Sequence, residues 1–124
     1  MARAQVLRRR RALVAAALLA LVVGAVVGAV SQGGGWKKVV VSTYGSPGDP
    51  LACGGKLQAG QAGVAHRTLP CGTKVELRHK GRRISTRVID RGPYVAGRSF
   101  DLTRPAANRL GVGDGLANVQ WRRR

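Results

Sequence analysis

The first thirty residues constrain this chain most, because a cluster of arginines is followed there by a long uncharged block. Residues 8–11 are all arginine, and residues 12–30 carry no charge. A helix of nineteen residues would span roughly 30 Å, the thickness of the hydrocarbon core of a bilayer. Arginines ahead of an apolar block keep that end of the chain in the cytoplasm, so the remainder is predicted to be exported.

The pattern allows residues 1–30 to be either a signal peptide that is removed or a signal-anchor helix that is retained. Small residues at 27–29 suit a signal peptidase, whereas the length of the block favours an anchor. A buried core helix fits less well. Residues 31–35 are predicted to be a Gly-rich linker, and residues 36–124 one small domain. We expect that domain to be extracytoplasmic, either facing the wall on an anchor in the cytoplasmic membrane or secreted.

The exported part is strongly basic. Five of the 22 Lys and Arg residues precede Ala12, whereas all five acidic residues follow Gly35. Such an excess favours polyanions, namely teichoic acids, anionic glycan, lipid head groups or nucleic acid. Wall polymers and lipids are the accessible ones outside the membrane. Aromatic residues make up 4% of the chain, which leaves few rings for stacking on bases, so no specific nucleic-acid partner is expected.

The two cysteines of the chain, Cys53 and Cys71, both lie in the exported part. In an oxidising compartment an even pair in a small domain predicts a disulfide. A zinc site with His66 and His79 would need a closely spaced pair of ligands, which the sequence lacks. A reactive thiol is disfavoured because each cysteine has a partner. We expect neither a metal nor another cofactor.

Short alternating segments predict an all-β domain. Strands are expected at residues 37–44, 73–78, 84–90 and 118–121, with a hairpin connection at 79–82. Thr103 is a suitable N-cap for a short helix, and Gly111 is a suitable stop. Short strands, frequent glycines and one helix together favour a compact β-barrel.

Two of the five carboxylates are candidates for chemistry. The alternation of strand 84–90 places Asp90 on the inward face at the mouth of the barrel, and Asp101 follows eleven residues later. Glycosidic cleavage uses two carboxylates, one protonated and one ionised. In the competing interpretation, Asp90 caps a turn and Asp101 caps the helix. His66 shares a face with Val64, so it is either a core histidine or a functional one.

Five short motifs lie in order along residues 44–103, namely YG at 44–45, GVAHRTLPCGTKV at 63–75, VIDRGPY at 88–94, GR at 97–98 and FDLT at 100–103. In this order they resemble the double-psi β-barrel domain of the rare lipoprotein A (RlpA) family. The resemblance covers residues 41–120, and the combination of AHRTLP, DRGP and DLT is specific. It implies an all-β fold, a six-stranded double-psi barrel with one short helix, which binds peptidoglycan glycan strands in a surface groove.

The resemblance also implies an activity, because some members of this family are lytic transglycosylases. They cleave the bond after N-acetylmuramic acid and leave a 1,6-anhydro end. Asp90 and His66 match residues that active members need, and Asp101 matches the acid/base of related barrel transglycosylases. Tyr44, Arg91 and Tyr94 are expected to contact the glycan. We expect the protein to act as a monomer.

One departure keeps two functions open. Active members carry a glutamate eleven residues before the histidine, and Gly55 occupies that position here. The chain is therefore either a lytic transglycosylase or a non-catalytic module that binds or loosens the wall, as expansin barrels do. A basic domain for nucleic acid or anionic lipid is a third possibility, which would make the motifs a coincidence.

Overall fold

A computed structural model describes residues 35–124, so the predicted N-terminal helix and most of the linker lie outside the described residues. The described part forms six strands and one helix: β1 (Lys37–Tyr44), β2 (Val64–Ala65), β3 (Lys74–His79), β4 (Arg82–Asp90), β5 (Phe100–Thr103), α1 (Arg104–Leu110) and β6 (Ala117–Arg123). Between residues 35 and 124 no helix is long and apolar enough to cross a membrane.

The six strands close into a barrel in the order β1-β5-β2-β4-β3-β6. The pairs β1–β5 and β2–β4 are parallel, and the other four neighbouring pairs are antiparallel. The predicted all-β, six-stranded barrel with one short helix is confirmed, and the two parallel pairs are consistent with a double-psi arrangement.

The barrel is filled by side chains from the inner face of each strand. In β4, Ile84 and Val88 are buried while Arg83, Ser85 and Arg87 are exposed, which is the alternation that the sequence predicts. The largest fully buried side chains are Phe100, Leu77, Leu102 and Leu110. The last of these comes from α1, so the helix packs its apolar stripe against the barrel.

The connection between β3 and β4 is the hairpin expected at residues 79–82. Lys80 and Gly81 both have positive φ values, 44° and 80°, as a two-residue type I′ turn requires. Because β1 and β4 both begin near this hairpin, their last residues, Tyr44 and Asp90, lie at the other end of the barrel.

Helix α1 begins after Thr103 and ends before Gly111, as predicted, and Gly111 adopts the left-handed conformation with φ 77°. Thr103 is fully buried. Its hydroxyl donates to the Gln61 carbonyl at 2.9 Å, and it accepts from the amides of Gly63 at 3.1 Å and Ala106 at 3.4 Å.

Thr103→Ala is expected to lower the free energy of unfolding by about 2 kcal/mol, because it removes a cap and leaves buried amide and carbonyl groups unpaired. Urea denaturation followed by circular dichroism measures the change. Thr103→Ser, the matched control, keeps the hydroxyl and should retain most of the stability. Equal stability of the alanine variant and the wild type would contradict this assignment.

Candidate functional site

Asp90 and Asp101 lie on the strands that flank the two-residue strand β2. Ala65 of β2 is the pairing partner of Asp90 on one side and of Asp101 on the other. Neighbouring strands are about 5 Å apart, so the two aspartate backbones are roughly 10 Å apart at one edge of the barrel. The fold therefore brings together two carboxylates that the sequence separates by eleven residues.

The Asp101 carboxylate lies under the loop that follows β4. The Ser42 hydroxyl donates to its Oδ1 from the paired position of β1. A Cβ added at Gly92 would stand 3.7 Å from Asp101 Oδ2 and 3.8 Å from Tyr94 Cε2, so Gly92 separates the two side chains. Gly92 has φ 116°, a conformation that suits only glycine. Asp101 does not cap helix α1, because Thr103 is the N-cap.

The Asp90 carboxylate is held by main-chain donors from two segments. Its Oδ1 accepts from the amide of Ala52 at 2.8 Å and from the amide of Arg91 at 2.9 Å. The second hydrogen bond is the turn cap that the competing interpretation expected. The hydrogen bond from Ala52 connects Asp90 to the long loop between β1 and β2, so this carboxylate also holds that loop beside the end of β4.

Tyr44, at the end of β1, lies within electrostatic range of both carboxylates. Burial, followed by the charge and hydrogen-bonding capacity of Asp90 and then the charge of Asp101, raises the pKa of Tyr44 well above its ordinary value. The Tyr44 hydroxyl is buried, and no group among residues 35–124 meets the geometry of a full hydrogen bond to it. Tyr44 is therefore a neutral, buried hydroxyl near the carboxylates.

The His66 side chain lies elsewhere. Its imidazole packs against Phe100, with ring centroids 4.8 Å apart, and against Trp121 at 6.4 Å. Phe100 and Asp101 are adjacent in β5 and so point to opposite faces of the strand. The structure thus brings Asp90, Asp101 and Tyr44 together but does not bring the imidazole of His66 to the carboxylates.

His66 nevertheless orders the loop that follows it. Its Nδ1 accepts from the amides of Thr68 at 3.1 Å and Leu69 at 3.0 Å, which fixes a neutral ring with the proton on Nε2. Burial first, and then the positive charges of Arg67 and Arg91, lower the pKa of His66. Both effects oppose an imidazolium at this position.

This lowered pKa makes stability depend on pH. The folded chain binds the His66 proton more weakly than the unfolded chain does. The contribution of His66 to the free energy of unfolding is therefore fully present above pH ~6.5 and decreases as the pH falls below that value. We expect the urea midpoint to fall with acidification from pH ~6.5 and the slope to flatten in His66→Gln. His79→Gln is the matched control. The same slope in both variants would rule out His66 as the source.

Two arginines join the loops around the site reciprocally. Arg91 Nη1 donates to the carbonyl oxygens of His66 at 3.3 Å and Leu69 at 2.9 Å in the motif that contains Arg67. In return, Arg67 Nη1 donates to the carbonyl oxygens of Pro93 and Arg98 in the loop after β4, at 2.8 Å each. Arg91, which we expected to contact glycan, is therefore used first to hold these loops together. A glycan contact from Arg91 stays a prediction.

The predicted disulfide between Cys53 and Cys71 is confirmed, so the zinc-site and free-thiol interpretations are wrong. The disulfide joins the loop between β1 and β2 to the loop after β2. The first of these loops also supplies the Ala52 amide to Asp90. The amide of Cys53 also donates to the Ile89 carbonyl at 3.3 Å, next to Asp90. No group of three or more potential metal ligands occurs in the described part of the chain.

Gly55 lies on the exposed surface of this same loop. Its φ is 72°, and its carbonyl accepts from the Leu51 amide at 3.0 Å in a tight turn. A glutamate side chain at this position would have to adopt a left-handed backbone, which L residues rarely do. The conformation of this loop therefore favours glycine at position 55.

Sequence reasoning missed two contributors to the site. Ser42 contacts Asp101 only because β1 and β5 pair in parallel, across 59 residues of sequence. The local signal is a polar residue, Ser42, directly after three valines, and the structure buries it at 7% exposure. Gly92 is part of the DRGP motif, and its position before Pro93 predicts a sharp turn. The sequence does not show that the Asp101 carboxylate lies beneath that turn.

Comparison with known proteins identifies relatives of this barrel. The family described as lytic transglycolase matches residues 37–121. The probable endolytic peptidoglycan transglycosylase RlpA of Nostoc sp. is 40% identical over 79 residues, 61% of this chain. The corresponding protein of Aquifex aeolicus is 48% identical over 56 residues, 43% of this chain. The endolytic peptidoglycan transglycosylase RlpA of Yersinia pestis is 39% identical over 79 residues, 60% of this chain.

These matches span only 21%, 25% and 22% of the respective relatives, so most of each relative has no counterpart in the match. Among solved structures, the Streptomyces papain inhibitor superposes with a TM-score of 0.57 at 25% identity, covering 71% of this chain and 93% of the inhibitor. The same barrel is therefore present in a small inhibitor protein.

Proposed function

We propose, from the premise that this chain belongs to the lytic transglycolase family, that its barrel cleaves peptidoglycan glycan strands and leaves 1,6-anhydro ends. The observation that carries the proposal is the placement of Asp90 and Asp101 on either side of Ala65, with the Tyr44 hydroxyl within electrostatic range of both carboxylates. The names of the RlpA relatives support peptidoglycan as the substrate.

In this proposal Asp101 is the acid/base. Its carboxyl group passes a proton to the glycosidic oxygen as the bond from that oxygen to muramyl C1 breaks. The C6 hydroxyl of the same muramyl residue then attacks C1, and its proton returns to the Asp101 carboxylate. The bond broken and the bond formed balance without water, so one acid/base is sufficient, and the Ser42 hydroxyl keeps the carboxylate oriented.

Asp90 supplies negative charge in this proposal. Positive charge develops on the sugar ring as the glycosidic bond breaks, and a carboxylate fixed by two amides stabilises it without reorganisation. A glycan contact from Tyr44 would use the exposed part of its ring, because its hydroxyl is buried. Tyr94 is 78% exposed beside Asp101 and offers its ring to a sugar face, and Arg91 and His66 position the loops around the substrate.

The proposed site of action is outside the cytoplasm, against the wall. Peptidoglycan is extracytoplasmic, and the arginine-flanked apolar block of residues 12–30 is suited to export. Residues 1–30 either hold the barrel at the membrane as an anchor or are removed as a signal peptide. The barrel acts as a monomer, without metal or cofactor.

A non-catalytic wall-binding module is the second candidate. Gly55 favours it, because active members of the family carry a glutamate there and this loop places a left-handed glycine instead. The resemblance to a papain inhibitor, which is named for inhibition and not for cleavage, also supports a role in binding.

Incubation of the full-length chain, in a non-ionic detergent, with purified peptidoglycan discriminates the two candidates. The enzyme releases soluble fragments with anhydromuramyl ends, which mass spectrometry detects. Co-sedimentation with sacculi and no such fragments would favour the binding module. If binding to sacculi is lost at moderate salt and does not depend on Asp90 or Asp101, the interaction is general attraction between the basic chain and an anionic polymer.

A further inference from the structure

A concave surface lies at the opposite end of the barrel from the aspartates. It is a cavity of about 640 Å³ formed by the β3–β4 hairpin and by residues of β1, β3, β4 and β6. We call it the hairpin groove. Its lining contains no aspartate or glutamate, and its cationic residues are Lys38, Arg78, Lys80, Arg82 and Arg83.

Register places four of these lining residues in one row across four strands. Lys38 pairs with Gln120, Gln120 pairs with Arg78, and Arg78 pairs with Arg83. Like charges directly opposite each other destabilise a sheet. A bound anion would offset the repulsion between Arg78 and Arg83.

Two guanidinium groups of the groove, those of Arg78 and Arg83, are held in place by an aromatic ring. They lie 4.2 and 5.1 Å from the centre of the Trp36 ring, which the guanidinium of Arg122 also contacts at 4.6 Å. Arg78 Nε also donates to Gln120 Oε1 at 2.6 Å. Ordering the side chains in advance lowers the entropic cost of binding, and the planar guanidinium fork matches the oxygens of a phosphate.

The nearby negative charge is already neutralised. Glu76 of β3 pairs with Arg122 at 3.1 Å and with Arg124 at 3.7 Å, and its side chain is only 10% exposed. Asp90 lies at the far end of β4 from Arg82 in the groove, eight residues away, which is a distance of about 26 Å along a strand. The hairpin groove is therefore separate from the aspartate site.

We propose that the hairpin groove binds the phosphate groups of a linear phosphodiester polymer built on a polyol. A bilayer surface fits less well, because the exposed large apolar side chains, Tyr94, Val95 and Leu116, do not line the groove. A nucleic acid fits less well because three guanidinium groups lie against Trp36, the ring at this end, and obstruct its faces for base stacking. The groove binds this polymer whether or not the aspartate site cleaves glycan.

The test uses the full-length chain in non-ionic detergent and a fluorescently labelled glycerol phosphate oligomer, with binding followed by anisotropy at several salt concentrations. Lys38→Gln combined with Arg83→Gln should weaken binding at least about tenfold and reduce the salt slope by about two. The matched control, Lys56→Gln combined with Arg109→Gln, removes the same charge from exposed positions outside the groove. It should bind nearly as the wild type does.

Each other outcome would overturn the proposal. Equal weakening in the groove and control variants would mean diffuse attraction by the net charge. Tighter binding of a single-stranded DNA of equal charge would mean that the partner is a nucleic acid. Tighter binding of vesicles containing phosphatidylglycerol would mean that it is a lipid surface. Absence of binding at low salt would remove the site altogether. Circular dichroism of both variants verifies that they are folded.

Discussion

Asp101→Asn is expected to lower the rate of anhydro-product release from purified peptidoglycan by about 10³-fold. The amide has nearly the shape of the carboxyl group and can still accept the Ser42 hydrogen bond. It cannot give a proton to the glycosidic oxygen or take one from the muramyl hydroxyl. Release is measured by mass spectrometry of soluble fragments, and co-sedimentation with sacculi should change little.

Asp114→Asn is the matched control for this result. Asp114 pairs with Arg104 at 3.3 Å on the surface, with its side chain 75% exposed, and lies outside the aspartate site. The control variant should release product at the wild-type rate. If Asp101→Asn also kept that rate, the acid/base assignment would be wrong even though the fold and the family remained correct.

Replacing both cysteines, Cys53→Ala with Cys71→Ala, is expected to lower the free energy of unfolding by about 3 kcal/mol. The disulfide closes a loop with a sequence separation of 18, and the chain-entropy relation gives this magnitude for such a loop. In a domain of this size the melting temperature should fall by on the order of 15 °C. Activity should fall as well, because the freed loop carries the Ala52 amide away from Asp90.

Differential scanning calorimetry of the wild-type chain with and without reductant provides the comparison. The reduced wild type and the double variant should melt at similar temperatures, since both lack the same crosslink. An unchanged melting temperature after verified reduction would contradict this prediction, and it would show that the hydrogen bonds of Ala52 and Cys53 to β4 hold this loop without the disulfide.

Sequence predicted the regular elements of this barrel well, because their signals are local. β-branched residues mark β1, alternation marks β4, and Thr103 and Gly111 mark the ends of the helix. Each of these features depends on residues a few positions apart. The family resemblance added the closed barrel, since no local pattern specifies which strands become neighbours.

Features that depend on strand register could not be predicted. Strand β2 has only two residues, too short for any period to show, yet it places Asp90 and Asp101 in one row. The motif marked His66 as functional but could not show that its ring turns towards Phe100 while its main chain stays beside Asp90. Charge excess likewise suggested a polyanion, but only register gathers cations at the hairpin.

Hydrolysis and transglycosylation differ in the origin of the oxygen at the new sugar end, and this difference tests the central claim directly. Digestion of peptidoglycan by the full-length chain in heavy-oxygen water, followed by mass spectrometry, is the measurement. Cleavage by the Asp101 acid/base without a water nucleophile should give anhydromuramyl ends with no heavy oxygen. Reducing ends that carry heavy oxygen, or no soluble fragments at all, would contradict the account.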